Sequence, residues 1–197
     1  MSAPVILASG SQIRRQILAS AGVAFDVQTS HVDEDAIKRE AGSADPDALA
    51  LKLAEAKALA VSAHHPDRLV LGGDQILSME GSLYDKVASR AEARARLLTF
   101  RGRSHTLHAG LAAARAGQII WRHSDASHLA MRDFSEAFLD DYLARAGDEL
   151  TASVGCYAYE GLGAQLFDRV EGNYYSILGL PLLPVLDLLR REGLIAS

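Results

Sequence analysis

The sequence predicts an α/β fold of the mixed α+β kind, with one mixed β-sheet flanked by helices. The chain opens with a short buried strand, Val5-Ile6-Leu7-Ala8, which is followed at once by a run with helical periodicity. Two β-like runs, residues 103–116 and 118–131, meet at Ala116-Gly117 and predict an antiparallel hairpin. Strands alternate with helices along the rest of the chain, so parallel and antiparallel pairs are expected in one sheet.

The elements of the first half follow from periodicity and from turn residues. A strand is expected at residues 24–28, followed by an acidic loop at residues 30–35. The clearest helix begins after Pro46 with Asp47 as its cap. The run from Arg68 to Gly81 predicts two strands interrupted at Gly72-Gly73, with a turn at its end.

The second half continues in the same way. Residues 89–100 have helical periodicity, and the central hairpin follows them. A helix capped by Ser135 is expected to end at Gly147, and short strands are expected between residues 155 and 177. The last helix has proline near its start and glycine at its end.

Composition limits the class of protein. The 197 residues suit a single domain over residues 1–197, and an apolar content of 49% is enough for a sizeable core. A net charge of −5 without a basic tract makes a nucleic-acid partner unexpected. No stretch suits a membrane span or a secretory signal, so a cytoplasmic protein is expected. The only cysteine, Cys156, fits a reducing compartment and is interpreted as a packing residue rather than a nucleophile.

The join between the first strand and the first helix is small, polar and basic. It carries Ser9, Ser11, Arg14 and Arg15. Free N–H groups at a helix start and adjacent guanidinium groups suit a bound anion. An ordinary N-cap serine beside two solvated arginines would give the same pattern, so this stretch does not decide between the two interpretations.

A second group of polar residues centres on Asp74, which follows the apolar run Leu69-Val70-Leu71 and two glycines. Carboxylates are seldom buried without a partner or a metal, although a turn aspartate is the simpler alternative. Glu34, Lys57 and Lys86 are the other candidates. Several cations and at least two carboxylates suit a polyphosphate with Mg²⁺ or Mn²⁺, and a carboxylate there could take a proton from water.

Several known site patterns are missing from the sequence. It contains no G-x-x-x-x-G-K-[ST], no G-x-G-x-x-G, no H-E-x-x-H and no G-x-S-x-G. His64 and His65 are the only paired histidines, and their place near a helix end favours solvated side chains. The candidate chemistry therefore depends on the polar groups described above.

Nearly the whole chain resembles the Maf family of nucleoside triphosphate pyrophosphatases. The resemblance is carried, in order, by LASGSQIRRQIL, LAEAKA, LGGDQ, DK at residues 85–86, YAYEGLGAQLFDRVEGNYYSILGLPL and the final helix. It implies an elongated, two-lobed fold like that of inosine triphosphate pyrophosphatases, a nucleotide cleft between the lobes, and often a homodimer. It also implies hydrolysis of a nucleoside triphosphate to the monophosphate and pyrophosphate with a divalent metal.

The resemblance also implies a role for each candidate residue. Asp74 matches the catalytic base and, together with Glu34, gives the metal-binding carboxylates. The phosphate-binding and cleft-lining residues that it implies are Ser9, Ser11, Arg14, Arg15, Lys57 and Lys86.

Within the family, three positions separate branches of different base preference. Here they are Ile13, Gln75 and Glu160. Gln75 and Glu160 resemble the branch associated with 7-methyl-GTP, whereas Ile13 stands where that branch usually has an aromatic residue. A carboxylate such as Glu160 accepts hydrogen bonds from the N1–H and 2-amino edge of guanine, although a solvated loop acid is the alternative. The other readings are a dTTP/UTP or broad-specificity enzyme, a nucleotide-binding regulator of septum formation and a phosphatase.

Overall fold

A computed structural model describes residues 4–42 and 45–196 of the chain. The strands are β1 (Val5–Leu7), β2 (Phe25–Val27), β3 (Leu69–Met79), β4 (Ser82–Tyr84), β5 (Ser104–Arg115), β6 (Gln118–Met131) and β7 (Phe167–Glu171). The helices are α1 (Gln12–Ser20), α2 (Glu34–Ala41), α3 (Pro46–Ser62), α4 (Arg90–Phe100), α5 (Glu136–Arg145), α6 (Glu149–Ala152), α7 (Tyr174–Ile177) and α8 (Leu182–Arg191). A 3₁₀ helix occupies Leu162–Leu166. None of the described helices is both long enough and apolar enough to span a membrane.

The strands form one mixed sheet in the order β2-β1-β3-β5-β6-β7, and β4 pairs with β3. β1 runs parallel to β2 and β3. The pairs β3–β4 and β6–β7 are antiparallel. The predicted fold class, a mixed sheet flanked by helices, is confirmed.

The chain divides into two compact units. The first contains the residues up to 75, residues 108–125 and those from 173 onward, and the second contains residues 76–107 and 126–172. Strands β3, β5 and β6 each contribute residues to both units. The single domain expected over residues 1–197 stays a prediction.

In the first unit, helix α3 packs closely on strands β3 and β5. Ala54 and Ala58 of this helix form a buried cluster with alanines of β5. A Cβ atom at Gly72 would collide with the carbonyl oxygen of Ala54 and lie 2.8 Å from the amide nitrogen of Ala58. Gly110 of β5 is just as close to the helix backbone at Ala50. Small residues on both surfaces therefore bring α3 against the sheet.

In the second unit, aromatic side chains surround a buried histidine. His105 is 2% exposed and stacks on Phe100 with ring centroids 5.1 Å apart. Its Nε2 lies 2.6 Å from the hydroxyl of Tyr157. Burial lowers the pKa of His105 to about 4, so the ring is neutral at physiological pH.

Several helix and turn boundaries that were predicted from neighbouring residues in the sequence are confirmed. The Ser135 hydroxyl accepts from the amide of Phe138 and caps α5, and Gly147 follows that helix with φ of 60°. The hairpin turn at Ala116-Gly117 has positive φ at both residues, 49° and 75°, which suits a tight two-residue turn. His64 is exposed just after α3, as expected, whereas His65 is partly buried and its Nε2 lies 2.6 Å from Oε1 of Gln28.

Two predictions in the first half were wrong. β3 is continuous through Gly72-Gly73, because β1 and β5 pair with it and the glycines leave room for packed neighbours. The cap of α3 is Asp45 rather than Asp47, because Pro46 takes the first helical position and the preceding residue then becomes the cap. The Asp47 carboxylate instead lies 2.8 Å from Nδ1 of His108.

Two further expectations need correction. The acidic loop at residues 30–35 is partly helical, since the Asp33 carboxylate accepts from the amide of Ala36 and α2 begins at Glu34. Between residues 155 and 177 only β7 is a strand. The other residues there form turns, the 3₁₀ helix and α7, where the side chain of Asn173 accepts from the amide of Tyr175 and caps a single helical turn.

Candidate active site

The serines and arginines of the N-terminal segment lie where β1 ends and α1 begins. The Ser11 hydroxyl accepts from the amide of Arg14 and caps α1, so the N-cap interpretation is correct for this residue. The Ser9 hydroxyl accepts from the amide of Ser11 at 3.3 Å and from Nη1 of Arg14 at 3.1 Å. β1 is parallel to its neighbours, and the carboxyl ends of such strands are where ligands of α/β folds bind.

Arg14 is a buried cation, only 8% exposed. Its Nε donates to the carbonyl of Gly179 at 2.7 Å, and its side chain lies against Gly73 of β3. Burial lowers the pKa of Arg14, while the negative charges of Asp74 and Glu34 act in the opposite direction. A guanidinium keeps its proton under such conditions, so Arg14 brings a fixed positive charge close to both carboxylates.

Arg15 and Ile13 lie beside Arg14 and are more open to solvent. Both side chains are half-buried. Nη2 of Arg15 donates to the carbonyl of Gly10 at 2.8 Å, whereas the buried Nε of Arg15 has no hydrogen-bond partner among the described residues. The structure thus places both arginines of the pair at the start of α1 but fixes only Arg14 firmly.

Lys57 joins the two candidate carboxylates. Its ammonium lies 2.5 Å from Oδ1 of Asp74 and 2.8 Å from Oε1 of Glu34. Lys57 and Asp74 are 9% and 8% exposed, whereas the side chain of Glu34 is 43% exposed. The close packing of α3 on β3 at Gly72 positions Lys57 over Asp74, two residues further along the strand. These three residues, together with Arg14, form a cluster of two cations and two anions.

Gln75 is directed at the backbone near the C-terminus. Its side-chain amide donates to the carbonyls of Ser176 at 3.1 Å and Ile177 at 3.0 Å. Together with the bond from Arg14 to Gly179, this fixes the segment at residues 173–180 against β3 and α1. Sequence reasoning singled out Gln75 but missed these partners, because backbone carbonyls leave no signal in residue identity.

The candidate metal ligands are Glu34 and Asp74. Across residues 4–42 and 45–196, no group of three or more His, Cys, Asp or Glu side chains is arranged to hold a metal ion. The two carboxylates do converge, since one oxygen of each lies within 2.8 Å of the same ammonium nitrogen. Two carboxylates with substrate phosphates suit Mg²⁺, which seldom takes a complete set of protein ligands.

The remaining two candidates, Lys86 and Glu160, belong to the second unit. Both side chains are exposed. Lys86 lies in the connection between β4 and α4, and Glu160 lies in the turns before the 3₁₀ helix. Cys156, in the same unit, is fully buried, and burial raises the pKa of its thiol to about 11. This supports the packing interpretation over the nucleophile.

Comparison with known proteins places the chain in a family. A model of the Maf-like protein family matches residues 4–192. A nucleoside triphosphate pyrophosphatase of Maricaulis maris is 57% identical over 190 residues, covering 96% of this chain and 97% of the relative. A protein of the same name from Caulobacter vibrioides is 50% identical, covering 96% of this chain and 96% of the relative. Another from Paramagnetospirillum magneticum is 48% identical, covering 95% of this chain and 98% of the relative. The chain therefore belongs to the Maf-like protein family.

Proposed function

We propose that this protein hydrolyses a nucleoside triphosphate to the monophosphate and pyrophosphate. The relatives named above as nucleoside triphosphate pyrophosphatases support this activity. The observation that carries the mechanism is the buried Asp74 carboxylate, 2.5 Å from the ammonium of Lys57. Such a carboxylate, held beside fixed positive charge, can orient a water molecule and take its proton.

The positive groups of the first unit bind the triphosphate. Arg14 and Arg15 supply guanidinium donors, and the start of α1 adds backbone N–H groups beside Ser9 and Ser11. Arg14 is held by Gly179 and Ser9, so its charge is positioned before the substrate arrives. The buried Nε of Arg15, without a described partner, is a donor that a phosphate oxygen would satisfy.

Glu34 and Asp74 would hold the divalent metal, Mg²⁺ or Mn²⁺. Their oxygens already converge on one positive group, the ammonium of Lys57, so they can converge on a metal ion after a small shift of Lys57. A bound ion supplies charge neutralisation for the phosphates and makes a nearby water more acidic. Lys57 would then bind a phosphate oxygen, while Asp74 holds the water and receives its proton.

For the base, we propose 7-methyl-GTP rather than dTTP or UTP. Gln75 uses its amide hydrogens on Ser176 and Ile177, so its carbonyl oxygen remains for a direct contact with a base. The Glu160 carboxylate, which is exposed, is an acceptor as well, and an acceptor suits the N1–H and 2-amino donors of guanine. A base that lacks matching donors on its edge loses these hydrogen bonds, so the contacts favour guanine over thymine and uracil.

The activity is tested with 7-methyl-GTP, GTP, dTTP and UTP, measuring pyrophosphate and orthophosphate separately, with and without excess EDTA. We expect pyrophosphate as the first product, loss of turnover in EDTA, and the highest rate with 7-methyl-GTP. Orthophosphate as the direct product would indicate a phosphatase, and nucleotide binding without turnover would indicate a regulator. A faster rate with dTTP and UTP would refute the base preference alone.

The role of Asp74 is tested by Asp74→Asn, which keeps the shape but cannot accept the proton. We expect kcat to fall by at least ~10²-fold. Asp26→Asn is the matched control, because Asp26 is also an aspartate of the first unit in an ion pair. It lies on β2 and pairs with Arg68. An Asp74→Asn variant as active as the control would refute the general-base assignment.

A further inference from the structure

The two candidate residues of the second unit lie on two separate loops. Lys86 belongs to the Lys86 loop (residues 85–89), between β4 and α4, and Glu160 belongs to the Glu160 loop (residues 153–161), after α6. The loops are more than 60 residues apart in the sequence. For both side chains to contact the same nucleotide, a residue of this unit has to hold the two loops at a fixed distance from each other.

Arg96 of α4 contacts both loops. One of its terminal nitrogens, Nη1, donates to the carbonyl of Asp85 and, at 2.9 Å, to the carbonyl of Val154. The first carbonyl directly precedes Lys86, and the second lies in the first turn of the Glu160 loop. The guanidinium also lies over the ring of Tyr84, 5.0 Å from its centroid. This aromatic contact fixes the plane of the group that joins the two loops.

Further hydrogen bonds hold each loop separately. At the end of the Lys86 loop, the Glu92 carboxylate accepts from the amide of Ala88 and the hydroxyl of Ser89, which in turn accepts from the Glu92 amide. In the Glu160 loop, the Ser153 hydroxyl bonds both the amide and the carbonyl of Tyr157. These bonds shape each loop separately, whereas Arg96 acts on both.

We propose that Arg96 is a positioning residue that holds the Lys86 loop and the Glu160 loop together for nucleotide binding. The proposal rests on the proposed function, which assigns Glu160 to the base, and on the family resemblance, which implies that Lys86 lines the nucleotide cleft. Arg96 itself touches no substrate in this proposal and acts through Lys86 and Glu160. Its planar guanidinium is suited to two backbone acceptors and an aromatic face at once, which an ammonium is not.

The test compares Arg96→Gln, Arg96→Lys, Lys86→Ala and the double variant Arg96→Gln/Lys86→Ala in steady-state kinetics. Arg96→Gln should lower kcat/KM by about 10-fold or more, chiefly through KM, because a misplaced loop loses substrate contacts. Arg96→Lys should restore only part of this loss. In the Lys86→Ala background, Arg96→Gln should cost clearly less than in the wild type, because the part of its effect that acts through Lys86 is already lost.

Arg94→Gln is the control on the same helix, since Arg94 pairs with the exposed Glu136 and Asp140 of α5. It should change kcat/KM by less than about 2-fold, as expected for a surface ion pair. A loss from Arg96→Gln that is equal in both Lys86 backgrounds, or no larger than that of Arg94→Gln, would overturn the proposal.

Hydrogen exchange gives a readout that needs no turnover. In Arg96→Gln, amide protection should fall in both loops while the rest of α4 stays protected. Unchanged exchange, or a change confined to one loop, would overturn the proposal even if activity fell. A wild-type protein that releases no pyrophosphate would refute the proposed function instead, and the exchange result would still decide whether Arg96 joins the loops.

Discussion

Removal of the Lys57 ammonium is the sharpest test of the charged cluster. Lys57→Met keeps most of the aliphatic chain between α3 and β3 but leaves Asp74, 8% exposed, without its partner at 2.5 Å. Breaking a buried ion pair by removing one partner costs about 3–5 kcal/mol in general. The cost here should be lower, because the half-exposed Glu34 can turn to water and Arg14 still lies close to Asp74. We expect a loss of about 2–3 kcal/mol in the free energy of unfolding.

The measurement is urea unfolding followed by circular dichroism at neutral pH, without nucleotide or metal. A protein of this size should also melt about 4–12 °C lower, at roughly 2–4 °C for each kcal/mol. Lys52→Met is the matched control on the same helix, since Lys52 pairs with Glu40 at 2.8 Å but both side chains are exposed. That variant should unfold at the same urea concentration as the wild type.

A double-mutant cycle completes this test. Asp74→Asn in the Lys57→Met background removes the orphaned charge, so the double variant should be more stable than Lys57→Met alone. If Lys57→Met unfolds like the Lys52→Met control, or if Asp74→Asn destabilises both backgrounds equally, the ion pair does not determine the stability of this cluster. The reasoning that places a desolvated carboxylate at the reaction centre would then be refuted.

Three further outcomes follow from buried residues. Gly72→Ala should destabilise the protein by about 3 kcal/mol or more, because its Cβ would collide with the backbone of α3, whereas Gly10→Ala meets only Thr29 at 3.6 Å and should be tolerated in urea unfolding. The pKa of His105 is about 4 in the folded protein and about 6.5 in the unfolded chain, so its contribution to stability is present above pH 6.5 and is lost as the pH falls towards 4. The free energy of unfolding of the wild type, measured in urea, should therefore fall by about 2 kcal/mol between pH 7 and pH 5. That of His105→Gln should fall clearly less. Cys156 should not react with Ellman's reagent at pH 8 until urea unfolds the chain, since its thiol is buried and its pKa is raised to about 11; rapid modification of the native protein would contradict this.

Short-range patterns in the sequence determined much of the fold. The caps at Ser11 and Ser135 and the hairpin turn at Ala116-Gly117 depend on residues within a few positions of one another, so they could be predicted from local chemistry. The mixed sheet followed from the order of such elements. The candidate polar residues also stood out one by one, because charge and glycine are unusual beside buried strands.

The errors came from local signals that tertiary structure overrode. Gly72-Gly73 predicted an interruption of β3, yet the pair serves close packing by α3 on one side and by Arg14 and Leu111 on the other. A glycine needed for a neighbour's approach and a glycine needed for a turn are identical in a sequence. Only the docked helix distinguishes them.

The sequence by itself thus determined which residues carry the charges, whereas the tertiary structure decided which of them meet. The contact of Lys57 with Asp74 spans 17 positions, and that of Gln75 with Ser176 spans 101. Periodicity does not encode such pairs, because they depend on how closely α3 approaches β3 and on where the segment at residues 173–180 returns to the sheet. The contact of Arg96 with Asp85 and Val154 could not be predicted from the sequence for a further reason. Arg96 donates to backbone carbonyls, which every residue has.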